Sequence, residues 1–127
     1  MPDSAELPTV FVVEDDGPVR VALGRLLTAA GFDVRTYGSA EELILGVPRE
    51  FDGCLLLDLH LPGMTGLALH AYLKRGGRGN SVVFITADHE MALSEEVRRT
   101  GAPCLGKPLD EDALLLAILK VTTKARS

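Results

Sequence analysis

Leu55–Gly66 reads LLLDLHLPGMTG. Three leucines run straight into Asp58, and Pro62, Gly63 and Gly66 follow. The leucines ask for burial, whereas an unpaired buried carboxylate is costly. Asp58 therefore either ends a strand and faces water, or is held by something positive.

Outward from this stretch, the chain alternates between two kinds of pattern. Apolar runs at Thr9–Val13 (TVFVV), Phe32–Tyr37, Gly53–Leu57 and Ser81–Thr86 (SVVFIT) predict strands, with a weaker one near Ala102–Gly106. The first, third and fourth lack polar alternation, which suits parallel strands covered on both faces. Helical patterns lie between them. Pro18 suits a first helical position, and Val19, Leu23, Leu26 and Leu27 make an apolar face that stops at Gly31. Ser39-Ala-Glu-Glu42 opens a second helix as a capping box. Thr65 caps a third, with Leu67, Leu69, Ala71 and Leu73. A fourth runs from His89 to Thr100 and ends at Gly101. Asp110 caps a fifth, with Leu114, Leu115, Ile118 and Leu119 as its apolar residues; Leu116 widens that face or meets solvent or a partner. The fold class is α/β: a (βα)5 three-layer sandwich around a parallel five-stranded sheet, doubly wound through right-handed crossovers.

Bulk properties agree. The 127 residues suit one domain over 1–127, its core about 8–122. A 46% hydrophobic content supplies a core, and 24% charged residues keep it soluble. The net charge of −5 argues against direct nucleic-acid binding or an anionic membrane surface. Cys54 and Cys104 show no metal spacing. MPDSAELP has neither the basic start nor the apolar stretch of a signal peptide, and no apolar run reaches membrane-span length. A cytoplasmic protein is the expectation. Gly76–Asn80 (GGRGN) reads as a flexible connection, and its single basic residue argues against phosphate binding.

In such a sheet the site lies beyond the C-terminal strand ends. That edge collects Glu14-Asp15-Asp16, Asp58, Thr86 and Lys107-Pro108. Clustered carboxylates repel, and either raised pKa values or a divalent cation relieves them. Oxygen ligands suit Mg²⁺. A carboxylate nucleophile, a hydroxyl and an ammonium beside such a metal are the equipment for phosphoryl transfer to Asp58. Each residue alone has an ordinary explanation. Asp58 could be a turn residue, the acids could favour a helix dipole, Thr86 could be a plain strand residue and Lys107 a solvated loop lysine. Their shared edge is what argues for a site.

The chain resembles the receiver domain of two-component response regulators over nearly its whole length, through VVEDDGPVR, LLLDLHLPGMTG, FITAD and GKPLD. EDDGPVRVALGRLLTAAGF and YGSAEEL look most like receivers of nitrogen-fixation and LuxR-type transcriptional regulators. The resemblance implies strand order 2-1-3-4-5. It implies Asp58 as phosphoacceptor, Thr86 as switch hydroxyl and Lys107 as the phosphate-binding lysine. Mg²⁺, with Mn²⁺ as the alternative ion, would be held by Asp15, Asp58 and the backbone carbonyl of His60, with Glu14 acting through water. Asp16 is then an extra acid. Pro108 would follow a cis peptide that turns the lysine inward. The partner would be a sensor histidine kinase or a phosphotransfer protein. The output surface, which could also form a homodimer, would be the fourth helix, fifth strand and fifth helix. Such a protein is a signalling switch rather than an enzyme. The tail KVTTKARS could begin a linker, as in a receiver cut from a longer regulator, or could end a single-domain protein.

Two departures stand out. The family usually carries Tyr or Phe three residues before the lysine; here that residue is Cys104, in a stretch one residue short that holds no aromatic. Cys104 is either drift or a redox-sensitive thiol. Pro103 should weaken the fifth strand, which is tolerable only at a sheet edge. His60 and Asp88, each two residues after a site residue, are expected to tune the lifetime of the phosphorylated state; the ordinary reading of His60 is a solvated loop residue. Rival functions fit less well. A pseudo-receiver is supported only by Cys104. Glu-Asp-Asp would repel a flavin phosphate, and His60 stands where a haloacid-type phosphatase needs a second acid.

Overall fold

The computed structural model describes residues 7–47, 51–77 and 81–126. Residues 78–80 of the expected Gly76–Asn80 connection and the N-terminal residues 1–6 lie outside them. In chain order the elements are β1 (Thr9–Val13), α1 (Gly17–Ala29), β2 (Asp33–Tyr37), α2 (Ala40–Gly46), β3 (Gly53–Asp58), α3 (Gly66–Arg75), β4 (Val82–Thr86), α4 (His89–Ala92), α5 (Glu95–Thr100), β5 (Cys104–Gly106) and α6 (Glu111–Arg126). The strands pair in parallel in the order β2-β1-β3-β4-β5. The α/β sandwich and its strand order are those expected.

Two apolar layers flank the sheet. On one face Phe11, Val13, Leu55, Leu57 and Phe84 pack against Leu43 of α2, Leu69 and Leu73 of α3 and Val97 of α5. On the other, Val10, Val12, Leu56, Val83 and Ile85 meet Leu23 and Leu27 of α1 and Leu114 and Ile118 of α6. Alternate residues of one strand thus feed opposite layers, which is why the central strands carry no polar alternation. Each fully buried leucine contributes roughly 1.5–3 kcal/mol. The order reverses between β1 and β3, so these two strands open the crevice at the C-terminal edge.

Local chemistry sets the boundaries. Asp16 caps α1 by accepting from the Val19 amide, and Pro18 stands in its first turn. Ser39 caps α2, and Thr65 caps α3 through the Ala68 amide. Asp16, expected as an extra acid of the site, is therefore a helix cap.

Several expectations need correction. The fourth helix is two pieces, because Ser94 breaks the run and caps α5 through the Val97 amide. The expected fifth helix is α6. In α3, Leu69 and Leu73 are buried as apolar residues of the expected third helix, Ala71 is exposed, and His70 is buried edge-on to Phe84 at 5.5 Å. β2 starts at Asp33, β4 at Val82 and β5 only at Cys104. β5 lies at the sheet edge, and Pro103 contributes its carbonyl to the Phe84 amide at 2.9 Å. Leu116 is exposed.

Candidate functional site

β1 and β3 place their last carboxylates side by side. Glu14 follows β1 directly, and its amide donates to the Tyr37 carbonyl at 3.0 Å, extending the ladder to β2. Arg20 of α1 donates from Nη1 to the Glu14 carbonyl at 2.8 Å, fixing this corner from the helix. Glu14 Oε2 accepts from the Asp16 amide. Asp58 closes β3 and is only 5% exposed. It does not face water. The sequence reading, that Asp58 is where its strand surfaces among other acids, holds for the strand end and the acids, but the carboxylate is held rather than open to water.

Lys107 does the holding. Its Nζ lies 2.9 Å from Asp58 Oδ2 and 2.6 Å from Glu14 Oε1. Asp58 Oδ1 accepts from the His60 amide at 2.9 Å. The lysine is seated by its own amide, which donates to the Thr86 carbonyl at 2.8 Å, and the Lys107–Pro108 peptide is cis. Burial of Glu14, with Asp58 beside it, pushes its carboxyl up to about 7, and the Lys107 hydrogen bond pulls against that. Burial disfavours the Lys107 ammonium, yet the hydrogen bonds to Glu14 and Asp58 outweigh it and raise its pKa. Lys107 therefore stays charged.

Carboxylate oxygens of Glu14, Asp15 and Asp58 all lie within 4.8 Å of one another. Three carboxylates against one ammonium leave an excess of negative charge. An all-oxygen donor set with that excess suits a hard divalent cation that keeps some of its water. Asp15 is the exposed member, open to an arriving ion.

Thr86 ends β4 and is fully buried. Its Oγ1 accepts from the Asp88 amide at 3.0 Å; among the described residues no hydrogen bond joins it to Asp58. Asp88 in turn caps α4 through the Glu90 and Met91 amides. Those amides, the Met91 hydrogen bond foremost, hold its carboxyl below the usual carboxylate range. Its Oδ2 lies 3.4 Å from His60 Nε2, so the two residues singled out as lifetime-tuning meet in an exposed side-chain contact between the β3–α3 and β4–α4 loops. Cys104 is half-buried against the layer that holds Phe84 and Val97, and burial raises its thiol pKa. A thiolate is disfavoured there, which counts against a redox role. Sequence reasoning used Arg20 only for its spacing and passed over His89, whose ring approaches Gly106; neither carries a readable local signal.

The parallel sheet, with the acid-lined crevice at its switch point, defines a doubly wound α/β fold. The response regulator receiver domain family matches residues 10–119, and the chain belongs to that family. Nodulation protein W of Bradyrhizobium diazoefficiens is 34% identical over 118 residues, covering 92% of this chain and 52% of that protein. The transcriptional regulatory protein FixJ of Azorhizobium caulinodans is 36% identical over 120 residues, covering 93% and 55%. The chain thus spans about half the length of these relatives. Among solved structures, FixJ-N superposes with a TM-score of 0.82 at 31% identity, covering 97% of this chain and 96% of that one. Response regulator StyR gives 0.83 at 40% identity, covering 94% and 63%. The chain is a receiver domain of the two-component response regulator family, a family whose members bind Mg²⁺ and take part in phosphorylation-based signalling. Among the described residues, no helix is long and apolar enough to cross a membrane.

Proposed function

We propose that this receiver accepts a phosphoryl group on Asp58 from the phosphohistidine of a sensor histidine kinase or phosphotransfer protein. The observation that carries this reading is the position of Asp58: last in β3, between Lys107 and the acidic pair of β1. Asp15, Asp58 and the His60 carbonyl would hold Mg²⁺, with Glu14 contributing through water. When bound, the ion would offset charge on the phosphoryl oxygens. The rest is done by the chain. An Asp58 oxygen attacks phosphorus in line, the N–P bond breaks as the O–P bond forms, and the histidine leaves. Lys107 pairs with the phosphoryl oxygens in place of Asp58 Oδ2. The Thr86 hydroxyl exchanges the Asp88 amide for a phosphoryl oxygen, which moves the β4–α4 loop.

That shift would bias the surface of α4, α5, β5 and α6, where Leu93 and Leu116 are exposed. This surface would serve output, homodimerisation included. A groove of about 300 Å³ lined by Val19, Leu23, Leu26, Pro108 and Leu109 beside Lys107 offers the phosphodonor a place to dock. The protein acts as a switch, not as an enzyme with a turned-over substrate. Two unpaired cysteines fit a cytoplasmic setting.

The test is the intact mass after incubation with acetyl phosphate and Mg²⁺. Gain of one phosphoryl group, lost in Asp58→Asn and without Mg²⁺, is expected. A folded chain that gains nothing, from acetyl phosphate or from a phosphorylated kinase, overturns the reading and leaves a binding module.

A further inference from the structure

The loop after β4 touches β5 at a place the acidic site does not use. Cys104 and Gly106 share one face of β5, two residues apart. Cys104 packs there against the layer that contains Phe84 and Val97. Gly106 presents no side chain, and the space one would fill is taken. A Cβ on Gly106 would lie 3.1 Å from His89 Cε1 and 3.3 Å from His89 Nδ1, tighter than ordinary contact. The edge of the imidazole thus rests on the residue just before Lys107, although His89 is exposed overall.

His89 is also tied to the other end of the site. It is the first residue of α4 and directly follows Asp88. The Asp88 amide donates to Thr86 Oγ1, and its carboxylate caps the first turn of α4. Three positions therefore separate the Thr86 hydroxyl from a ring seated on β5. We infer that His89 is the positioning residue that transmits movement of the β4–α4 loop to β5, an inference that rests on the phosphoacceptor reading of Asp58.

The physical logic is steric. When the Thr86 hydroxyl turns toward a phosphoryl oxygen, the Asp88 amide loses its acceptor. The first turn of α4 shifts, and the ring must leave Gly106 or press on it. Close-packed contacts switch between discrete arrangements more readily than they stretch. β5 has Cys104 where an aromatic was expected, so the ring on this face comes from the loop rather than from the strand. Gly106 is then not a neutral position, because a Cβ there would require the ring to give by a few tenths of an ångström.

The experiment is amide hydrogen exchange by NMR on the full chain, with acetyl phosphate and Mg²⁺ and with intact mass measured on every sample. Wild type, His89→Ala, His89→Phe and Gly106→Ala are compared. Phosphorylation is expected to change exchange at Cys104–Lys107 roughly threefold or more in wild type and in His89→Phe, which keeps a ring. His89→Ala gains the same mass and loses that change. Gly106→Ala, without any phosphodonor, shifts the Asp88 and His89 amide resonances. A phosphorylated His89→Ala chain with the wild-type response at β5 overturns the inference, as does a Gly106→Ala chain whose Asp88 and His89 resonances stay in place. A wild-type chain that gains no mass counts against the reading of Asp58 instead. The Gly106→Ala arm needs no phosphoryl group and still supports or overturns the coupling.

Discussion

Lys107 and Glu14 stand 93 positions apart in sequence, and their Nζ and Oε1 atoms are 2.6 Å apart in the fold. The same ammonium reaches Asp58 Oδ2 at 2.9 Å. One cation thus holds two buried carboxylates together at the mouth of the sheet. It neutralises the site in part and keeps the Asp58 carboxylate beside a charge able to pair with the oxygens of an incoming phosphoryl group.

Removing that cation should be costly. Lys107→Ala leaves Glu14 and Asp58 facing each other at 1% and 5% exposure. An uncompensated buried charge commonly costs about 3–5 kcal/mol. Proton uptake by Glu14 would reduce this, so urea denaturation should show a loss of about 1–3 kcal/mol. Glu14→Gln added to Lys107→Ala should recover part of it. A double variant no more stable than the single one would mean that the carboxylate repulsion is not the source of the loss.

Cation binding should show in stability. A ligand that binds only the native state stabilises it by RT ln(1 + [L]/Kd), or about 1.4 kcal/mol at ten times Kd. Mg²⁺ should therefore raise the unfolding midpoint of the wild type. Asp15→Asn removes the exposed member of the cluster and should abolish most of that rise while leaving the metal-free midpoint nearly unchanged. Equal rises in both proteins would place the ion elsewhere.

The two thiols should differ. Burial pushes the Cys54 thiol up to about 12 from 9.0, because the thiolate cannot be solvated inside the sheet. A folded-state pKa above the unfolded one gives a stabilising contribution that is fully present below pH 9 and is lost as pH rises toward 12. Native protein at pH 8 should leave Cys54 unmodified by a disulfide reagent, with Cys104 reacting slowly and both reacting in denaturant. Stability should fall on titration above pH 9, and less so in Cys54→Ala. Rapid modification of native Cys54 would contradict the burial argument.

Gly66 should tolerate nothing larger. It opens α3 directly behind the acceptor, and a Cβ there would collide with the Asp58 backbone carbonyl. The obstacle is backbone, so it cannot swing aside. Gly66→Ala should cost about 1–3 kcal/mol by overpacking and disturb phosphorylation, since the strand end must move. Gly77→Ala is the control: its φ of +78° is unfavourable for a side chain, but nothing lies within 4 Å. It should cost only the backbone penalty and leave the site intact.

These residues also mark how far the sequence could be read. Unbroken apolar runs revealed the central strands, because a strand buried on both faces has no polar side. Asp58, Thr86 and Lys107 were legible as residues that end or follow such runs. The hold of Lys107 on Glu14 was not, because nothing local encodes a contact over 93 positions. Asp16 was legible only as an extra acid, because a carboxylate suits a helix cap and a metal site equally well. The break at Ser94 was missed because its capping bond competes with a helical pattern that continues on both sides. His70 was missed because a buried histidine edge-on to Phe84 looks polar in sequence. The contact of His89 with Gly106 depends on the missing side chain of a glycine, which no pattern displays.

His60 and Asp88 carry the last prediction. Their side chains meet across the two loops beside Asp58 at 3.4 Å and are 58% and 45% exposed. An exposed pair of this kind is weak, so its effect on fold stability should be slight. Its effect on the phosphorylated state should be larger in kind, because the His60 amide bonds the Asp58 carboxylate and the Asp88 amide bonds the Thr86 hydroxyl. The half-life of phosphorylated protein is the measurement, followed by loss of the added mass after the phosphodonor is removed. His60→Ala and Asp88→Ala should each change it by a few-fold, and the double variant should fall short of the product of the two. Thr86→Ala provides the contrast, since it should alter the response at β5 as well as the half-life. A double variant with the wild-type half-life would show that neither loop side chain controls water at Asp58. The pair would then be a solvated contact, with His60 contributing only its backbone.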